Sequence, residues 1–314
     1  MQNSALPPRL HNQLAHAAPD AQRVLDIMLA SLSPSTLTAY SHDLDEFADW
    51  FISGSIGQAA ETLFLVSQGN ANALGFEWRA AMLELGLSPA TINRRLSALK
   101  SLIKTGRILG LINYELEVPP VKSQSYRDTR GPTLTEVAAF LNAAKDQPSP
   151  RVERDVALIR LMYDMALRRG EITKLDVADV EANRLWIMGK GKTEKAPVTM
   201  PELAVEAITA WRAYVPEGPL FRHIDRHSNL RQRLTGAGLY EIVQHLGRKA
   251  GIKVRPHGFR HSAITLALDL TGGDVRSVMR YARHARVDMT IGYDDRRTDR
   301  AGDIAQMVSR TLGS

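Results

Sequence analysis

At 314 residues, with 44% hydrophobic and 24% charged residues, the chain is long enough for two domains with separate cores and has the balance of a soluble globular protein. It has no cysteine, which excludes disulfides, thiolate metal sites and a cysteine nucleophile and fits a reducing cytoplasm; no apolar run reaches membrane-spanning length and no secretory leader pattern opens the chain. A net charge of +6 and a pI near 9.6 favour a polyanionic partner.

Residues 1–20 lack periodicity and read as a mobile arm. Helical patterning begins at residues 21–32. Ser33 and Pro34 then start a helix whose apolar stripe is Leu37, Tyr40, Leu44, Phe47, Trp50 and Phe51. Further helices are expected over residues 59–66 and 71–85. No alternating strand pattern precedes Pro119, so residues 21–118 are expected to form an all-helical domain. Its most informative helix starts at Ser88-Pro89 and turns Ile92, Leu96, Leu99, Leu102 and Ile103 inward. Arg94, Arg95, Lys100, Lys104 and Arg107 lie off that stripe. No acidic residue occurs between Glu84 and Glu115, so the basic face is either simply solvated or a surface for DNA phosphates; the second is favoured.

Residues 119–132 are proline-flanked, polar and basic and read as a linker in which Lys122, Arg127 and Arg130 can contact a nucleic-acid backbone. Thr133 and Glu136 open a second domain, residues 133–314, with a capping pattern. A helix over residues 154–167 leads into Arg168, a turn at Gly170 and Glu171, followed by a short helix. Residues 184–188 and 196–200 have strand character around a lysine-rich turn, so a β-hairpin is expected, with another helix from Pro201.

Residues 257–293 hold the densest chemistry. His257 and Arg260 stand one helical turn apart and share a face. Ile264, Leu266, Ala267 and Leu270 anchor that helix, Gly272 and Gly273 break it, and Asp274 caps a second one ending near His284. Tyr293 lies beyond the polar bend at Asp288. Taken singly, each histidine reads as a capping residue and the tyrosine as packing; the joint spacing is more specific.

H-x-x-R, then His284, then Tyr293 resembles the C-terminal boxes of the tyrosine recombinases, or phage-integrase family. Arg168 with Glu171 three residues on matches the family's Gly-Leu-Arg-x-x-Glu box, and Lys190 in Gly-Lys-Gly matches its hairpin lysine, with Lys192 and Lys195 as alternatives. The run from Leu87 resembles the family's N-terminal core-binding domain. Two positions depart from the family pattern: Ala166 and Arg283 stand where glycine is usual.

The resemblance implies a mainly α fold with a small β-hairpin or sheet: an all-helical, SAM-like core-binding domain and a mixed α/β catalytic domain of the DNA breaking-rejoining type. It implies a site-specific recombinase in which Tyr293 forms a covalent 3′-phosphotyrosine link. Arg168, Arg260 and His284 would hold the phosphate, His257 would serve as base or phosphate ligand, and Lys190 would be the general acid. Glu171 would orient its neighbours. Storing the bond in a protein–DNA link removes the need for ATP, and guanidinium charge removes the need for a metal. The implied partners are duplex DNA, clamped by both domains, and further copies of the chain in a tetramer. The tail, with Ile304, Met307, Val308 and Leu312 at helical spacing, would dock on a neighbour or on its own domain. A type IB-like topoisomerase and a noncatalytic DNA-binding protein are the competing readings.

Overall fold

The computed structural model describes residues 20–122, 131–189, 192–293 and 300–311. The N-terminal arm before Asp20, Arg127, Arg130, Lys190 and Leu312 lie outside these. The chain divides into two compact units between Ser125 and Tyr126.

The described part of the first unit is helical: α1 (Ala21–Ala30), α2 (Pro34–Ile52), α3 (Ile56–Leu65), α4 (Gln68–Glu84) and α5 (Pro89–Ile108). Each start is written in the sequence. Asp20, Ser67 and Ser88 accept hydrogen bonds from backbone amides of the first turn, and Ser55 with Gln58 forms a reciprocal capping box. Proline at the first position of α2 and α5 supplies a preset φ where no intrahelical donor is needed. The buried faces meet around Phe47 and Trp78, whose rings make an edge contact at 5.0 Å, with Leu63, Ile92, Leu96 and Leu102 beside them. After α5 the chain runs back over this core, burying Tyr114, Leu116 and Val118, and is pinned to α5 where Asn93 exchanges hydrogen bonds of 3.0 and 2.8 Å with the backbone of Val121.

The second unit begins with α6 (Leu134–Lys145), capped by the Thr133–Glu136 box, and α7 (Arg151–Tyr163). Then come α8 (Arg169–Ile172), a 3-10 turn at Val177–Asp179, and an antiparallel sheet ordered β1 (Val180–Glu181), β2 (Arg184–Met188), β3 (Lys195–Thr199). The expected hairpin is β2–β3, with Leu185 opposite Val198 and Ile187 opposite Ala196. After α9 (Glu202–Arg212), a second ribbon of β4 (Arg222–Ile224) and β5 (Leu230–Arg233) appears that the sequence reading did not anticipate; its arginine-rich strands lack an apolar alternation. The chain ends through α10 (Gly236–Ala250), α11 (Pro256–Leu270), α12 (Val275–Ala282), α13 (Asp288–Ile291) and α14 (Arg300–Thr311).

α7 runs through the main core of this unit, where Phe140 and Phe259 meet edge to face at 5.0 Å. A smaller core of Ala166, Ala263, Ile264, Leu268, Val278 and Ala282 lies beneath the residues singled out above, with Tyr281 and Tyr293 packed on it. It fastens α11 and α12 to the end of α7. The start of the unit is tied to α11 as well: a Cβ on Gly131 would fall 2.1 Å from the Gly258 carbonyl oxygen, so only glycine permits this approach. Among the described residues no helix is long and apolar enough to cross a membrane.

Candidate active site

Three backbone turns deliver the site. The first is the break after α7. Asp164 ends the helix, Ala166 takes a left-handed φ of 47°, and Arg168 is extended at the N-cap of α8. Glu171, 3% exposed, folds back on that cap, accepting from the Arg168 amide at 2.8 Å and from Arg168 Nη1 at 2.7 Å. The R-x-x-E spacing is therefore a local capping box that aims the arginine.

The second is the start of α11, where His257 lies at the surface and Arg260, one turn deeper, is 1% exposed. Arg260 donates through Nη1 to the Ala166 carbonyl and through Nη2 to the Ala282 carbonyl, so it ties α11 to both other turns. Its Nε is buried without a protein acceptor. Burial, and then the charges of Arg168 and Arg283, lower its pKa to about 10. At neutral pH it stays cationic.

The third turn ends α12. Arg283 is left-handed at φ 54°, and His284 follows it into the interior at 6% exposure. His284 Nδ1 lies 2.9 Å from the hydroxyl of Thr290, itself fully buried. When that hydroxyl donates, Nε2 carries the imidazole proton and becomes a donor. Burial, followed by the positive charges of Arg260, Arg168 and Arg283, holds His284 down to about 4. His257 is lowered too, by loss of water around the ring and then by Arg260 and Arg168.

Tyr293 closes the group. Its hydroxyl lies 3.4 Å from His257 Nε2, its ring stacks on His284 with centroids 5.4 Å apart, and His261 sits at 4.8 Å. Thr265 on α11 donates to the Tyr293 carbonyl at 3.4 Å. Tyr281 instead donates its hydroxyl to the carbonyls of Tyr163 and Asp164 at 3.2 and 3.1 Å, and burial pushes its pKa up to about 12. An open cleft beside His257 is lined by Arg168, Arg169, Tyr240 and Arg255.

Arg168, Glu171, His257, Arg260, His284 and Tyr293 thus come together. Lys190 lies outside the described residues. Of its alternatives, Lys195 spends its amine on Asp179 at 2.6 and 2.7 Å, while Lys192 is exposed. Thr290, Arg283 and Arg255 were missed; only the departure at Arg283 carried any signal in the sequence.

The basic residues of α5 are less free than their local sequence suggests: α2 supplies acids to Arg94 and Arg95, and the chain after α5 supplies partners to Lys100 and Arg107. Arg94 pairs with the fully buried Asp43 and donates to the Ala39 carbonyl at 3.3 Å; Arg95 pairs with Glu46 at 3.1 Å. Lys100 donates to the Val118 carbonyl at 2.6 Å and Arg107 pairs with Glu115 at 2.6 Å. Lys104 and Lys122 are exposed.

The sequence model of the phage integrase family matches residues 133–300, and that of the phage integrase N-terminal SAM-like domain matches residues 27–105. The chain is 39% identical to a tyrosine recombinase of Synechococcus elongatus over 90% of its length and 91% of that protein's. It is 34% identical to a tyrosine recombinase of Synechocystis sp., covering 93% and 96%. Among solved structures, a lambda integrase dimer bound to a COC′ core site aligns with a TM-score of 0.65 at 13% identity over 88% of this chain and 96% of that one. The XerH recombinase in a post-cleavage complex with a palindromic difH substrate aligns at 0.64 and 19% identity over 92% and 85%. The overall fold is thus shared, and on the match of both domains the chain belongs to the phage integrase family of tyrosine recombinases.

Proposed function

We propose that this site-specific DNA recombinase cuts and rejoins its duplex through Tyr293, and that the cluster around Glu171 is its phosphate-binding and proton-transfer machinery. The observation that carries the reading is the Tyr293 hydroxyl 3.4 Å from the Nε2 of His257, whose pKa is lowered from its ordinary value by loss of water around the ring and by Arg260 and Arg168. A protonated phenol needs a base to attack at neutral pH, and an imidazole within reach can serve.

With a scissile phosphate seated between the guanidiniums, Tyr293 Oη attacks phosphorus and its proton passes to His257. A bond forms between phenol oxygen and phosphorus, the bond from phosphorus to the 5′ oxygen breaks, and the departing oxygen takes a proton from the hairpin lysine, assigned by family resemblance to Lys190. Arg168 and Arg260 neutralise the charge growing on the nonbridging oxygens, and the buried Nε of Arg260 is a donor suited to one of them. His284 adds a neutral donor. One ester replaces another, so rejoining is the same step reversed with a 5′ hydroxyl as nucleophile.

For the first domain, we assign Lys104 and Lys122 to direct phosphate contact. Arg107, about 40% exposed, joins them by exchanging its surface ion pair with Glu115 for a phosphate, whereas Arg94 stays with the buried Asp43. Such an exchange is inexpensive because an exposed pair is worth only about 0–1 kcal/mol. Residues 21–118 and 133–314 serve as the core-binding and catalytic domains. The assembly proposed is a tetramer, as in the lambda integrase tetramer bound to a Holliday junction. In it, α14, whose described side chains at 305, 306 and 308–311 are exposed, docks on a neighbouring copy.

The direct test is a nicked suicide substrate, from which the cut strand diffuses away and traps the covalent complex. Wild-type protein is expected to give a DNA–protein adduct and Tyr293→Phe none. An adduct from the phenylalanine variant would overturn the assignment. A wild-type chain that binds DNA without forming any adduct would be a DNA-binding protein only.

A further inference from the structure

We propose that Arg283 is a positioning residue of this cleavage site, holding Arg168, Glu171 and Arg260 in register from the end of α12; the inference rests on the reading of the site given above. The backbone is the first indication. At φ 54°, Arg283 occupies the left-handed position that ends a helix, where glycine is the unstrained choice. Facing it is Ala166, left-handed at φ 47°. Each of these turns carries a side chain that costs conformational strain, and the two turns are joined to each other.

The join is the Arg283 guanidinium. It does not run into solvent. Nη1 donates to the carbonyls of Met165 at 3.2 Å and Tyr281 at 3.0 Å, and Nη2 donates to the Ala166 carbonyl at 3.0 Å and to Glu171 Oε2 at 3.3 Å. The Arg283 carbonyl in turn accepts from Arg168 Nη2 at 3.3 Å. The Ala166 carbonyl also accepts from Arg260 Nη1, so its two lone pairs are divided between the two guanidiniums.

Glu171 is equally committed: Oε1 takes Arg168 Nη1, while Oε2 takes the Arg168 amide and Arg283. Remove the Arg283 side chain and both acceptors that fix the phosphate-binding arginines lose a partner, although no atom proposed to touch DNA has changed. A planar fork spanning four acceptors is also a geometry that an ammonium cannot reproduce.

A residue that merely ended α12 would be replaced by glycine at no loss, since glycine relieves the left-handed strain. A positioning residue would not. The test uses the full chain on the suicide substrate at saturating protein, comparing wild type, Arg283→Gly and Arg283→Lys for cleavage rate, DNA affinity and Tm. A second substrate carries a neutral methylphosphonate at the scissile position.

On the natural phosphate, both variants are expected to cleave about 10- to 100-fold more slowly, the scale of an ångström-sized misplacement, with DNA affinity unchanged within about twofold. On the methylphosphonate, which has less charge for Arg168 and Arg260 to stabilise, the deficit should shrink to within about threefold. Cleavage of the natural phosphate by Arg283→Gly within about twofold of wild type would overturn the inference, as would an equal deficit on both substrates. If Arg283→Gly shows no folding transition, Arg283→Lys, which keeps the charge, decides by the same criteria. A wild-type chain that gives no adduct overturns the cleavage reading itself and this inference with it.

Discussion

Arg260 is buried with its guanidinium pointed at two backbone carbonyls, and the nearby charges of Arg168 and Arg283 are offset only in part by Glu171, so a bound anion would improve its surroundings. Replacing Arg168 or Arg260 with alanine should therefore slow cleavage by roughly 10²- to 10³-fold, about 3–4 kcal/mol of transition-state stabilisation, measured as single-turnover adduct formation. A loss below tenfold would show that the phosphate does not sit between them. The histidines predict pH behaviour. His284 is held near 4 against an ordinary 6.5, so between those values the unfolded chain binds a proton that the folded chain does not. Its contribution is intact above pH 6.5 and is lost as pH falls toward 4. Tm measured across that window should drop for wild type and drop less for His284→Asn. Because His257 is also lowered, the acid limb of cleavage should lie below pH 6.5, where a limb above 6.5 would exclude it as the base. At this scale H-x-x-R and R-x-x-E were legible because helix geometry and a capping box are local. Thr290 and Arg283 were not, since their meaning lies in contacts such as the one between Arg168 and Arg283, 115 residues apart.

Helices and turns were legible to the extent that their chemistry is written in neighbouring residues. Ser-Pro starts, the Thr133–Glu136 box and the lysine-rich hairpin announce α2, α5, α6 and β2–β3. The β4–β5 ribbon announces nothing, being held by arginines and by the turn at Asp225, which binds Arg231 and the backbone of His227 and Asn229. The basic face of α5 shows the opposite error. The sequence between Glu84 and Glu115 holds no acid, yet Asp43 and Glu46 arrive from α2 to take up Arg94 and Arg95. This separates two lysines that look equivalent in sequence. Lys104→Ala should weaken DNA binding and lower the salt slope by about 1, whereas Lys100→Ala, which removes the amine from the Val118 carbonyl, should lower Tm with the slope unchanged. Isothermal titration at several salt concentrations distinguishes them; equal slopes for the two variants would refute the assignment.

For the whole molecule, both family matches and the two compact units describe a chain with separate cores. Two-domain architecture was readable because the composition changes sharply at the linker. Assembly was readable only through the family resemblance, which left the tail to dock on a neighbour or on its own domain. Deleting residues 300–314 should abolish recombination between two labelled sites while leaving single-site DNA affinity within about twofold, which is the signature of a surface used in the assembled complex. Unchanged recombination would return α14 to its own domain.

We propose that three turns of backbone bring one phenol to a phosphate held between the buried Arg260 and the half-buried Arg168. Mass mapping of the adduct trapped on a nicked substrate tests this most directly. The predicted result is a single peptide carrying the 3′-phosphorylated strand on Tyr293; attachment at Tyr281 or any other residue would contradict it.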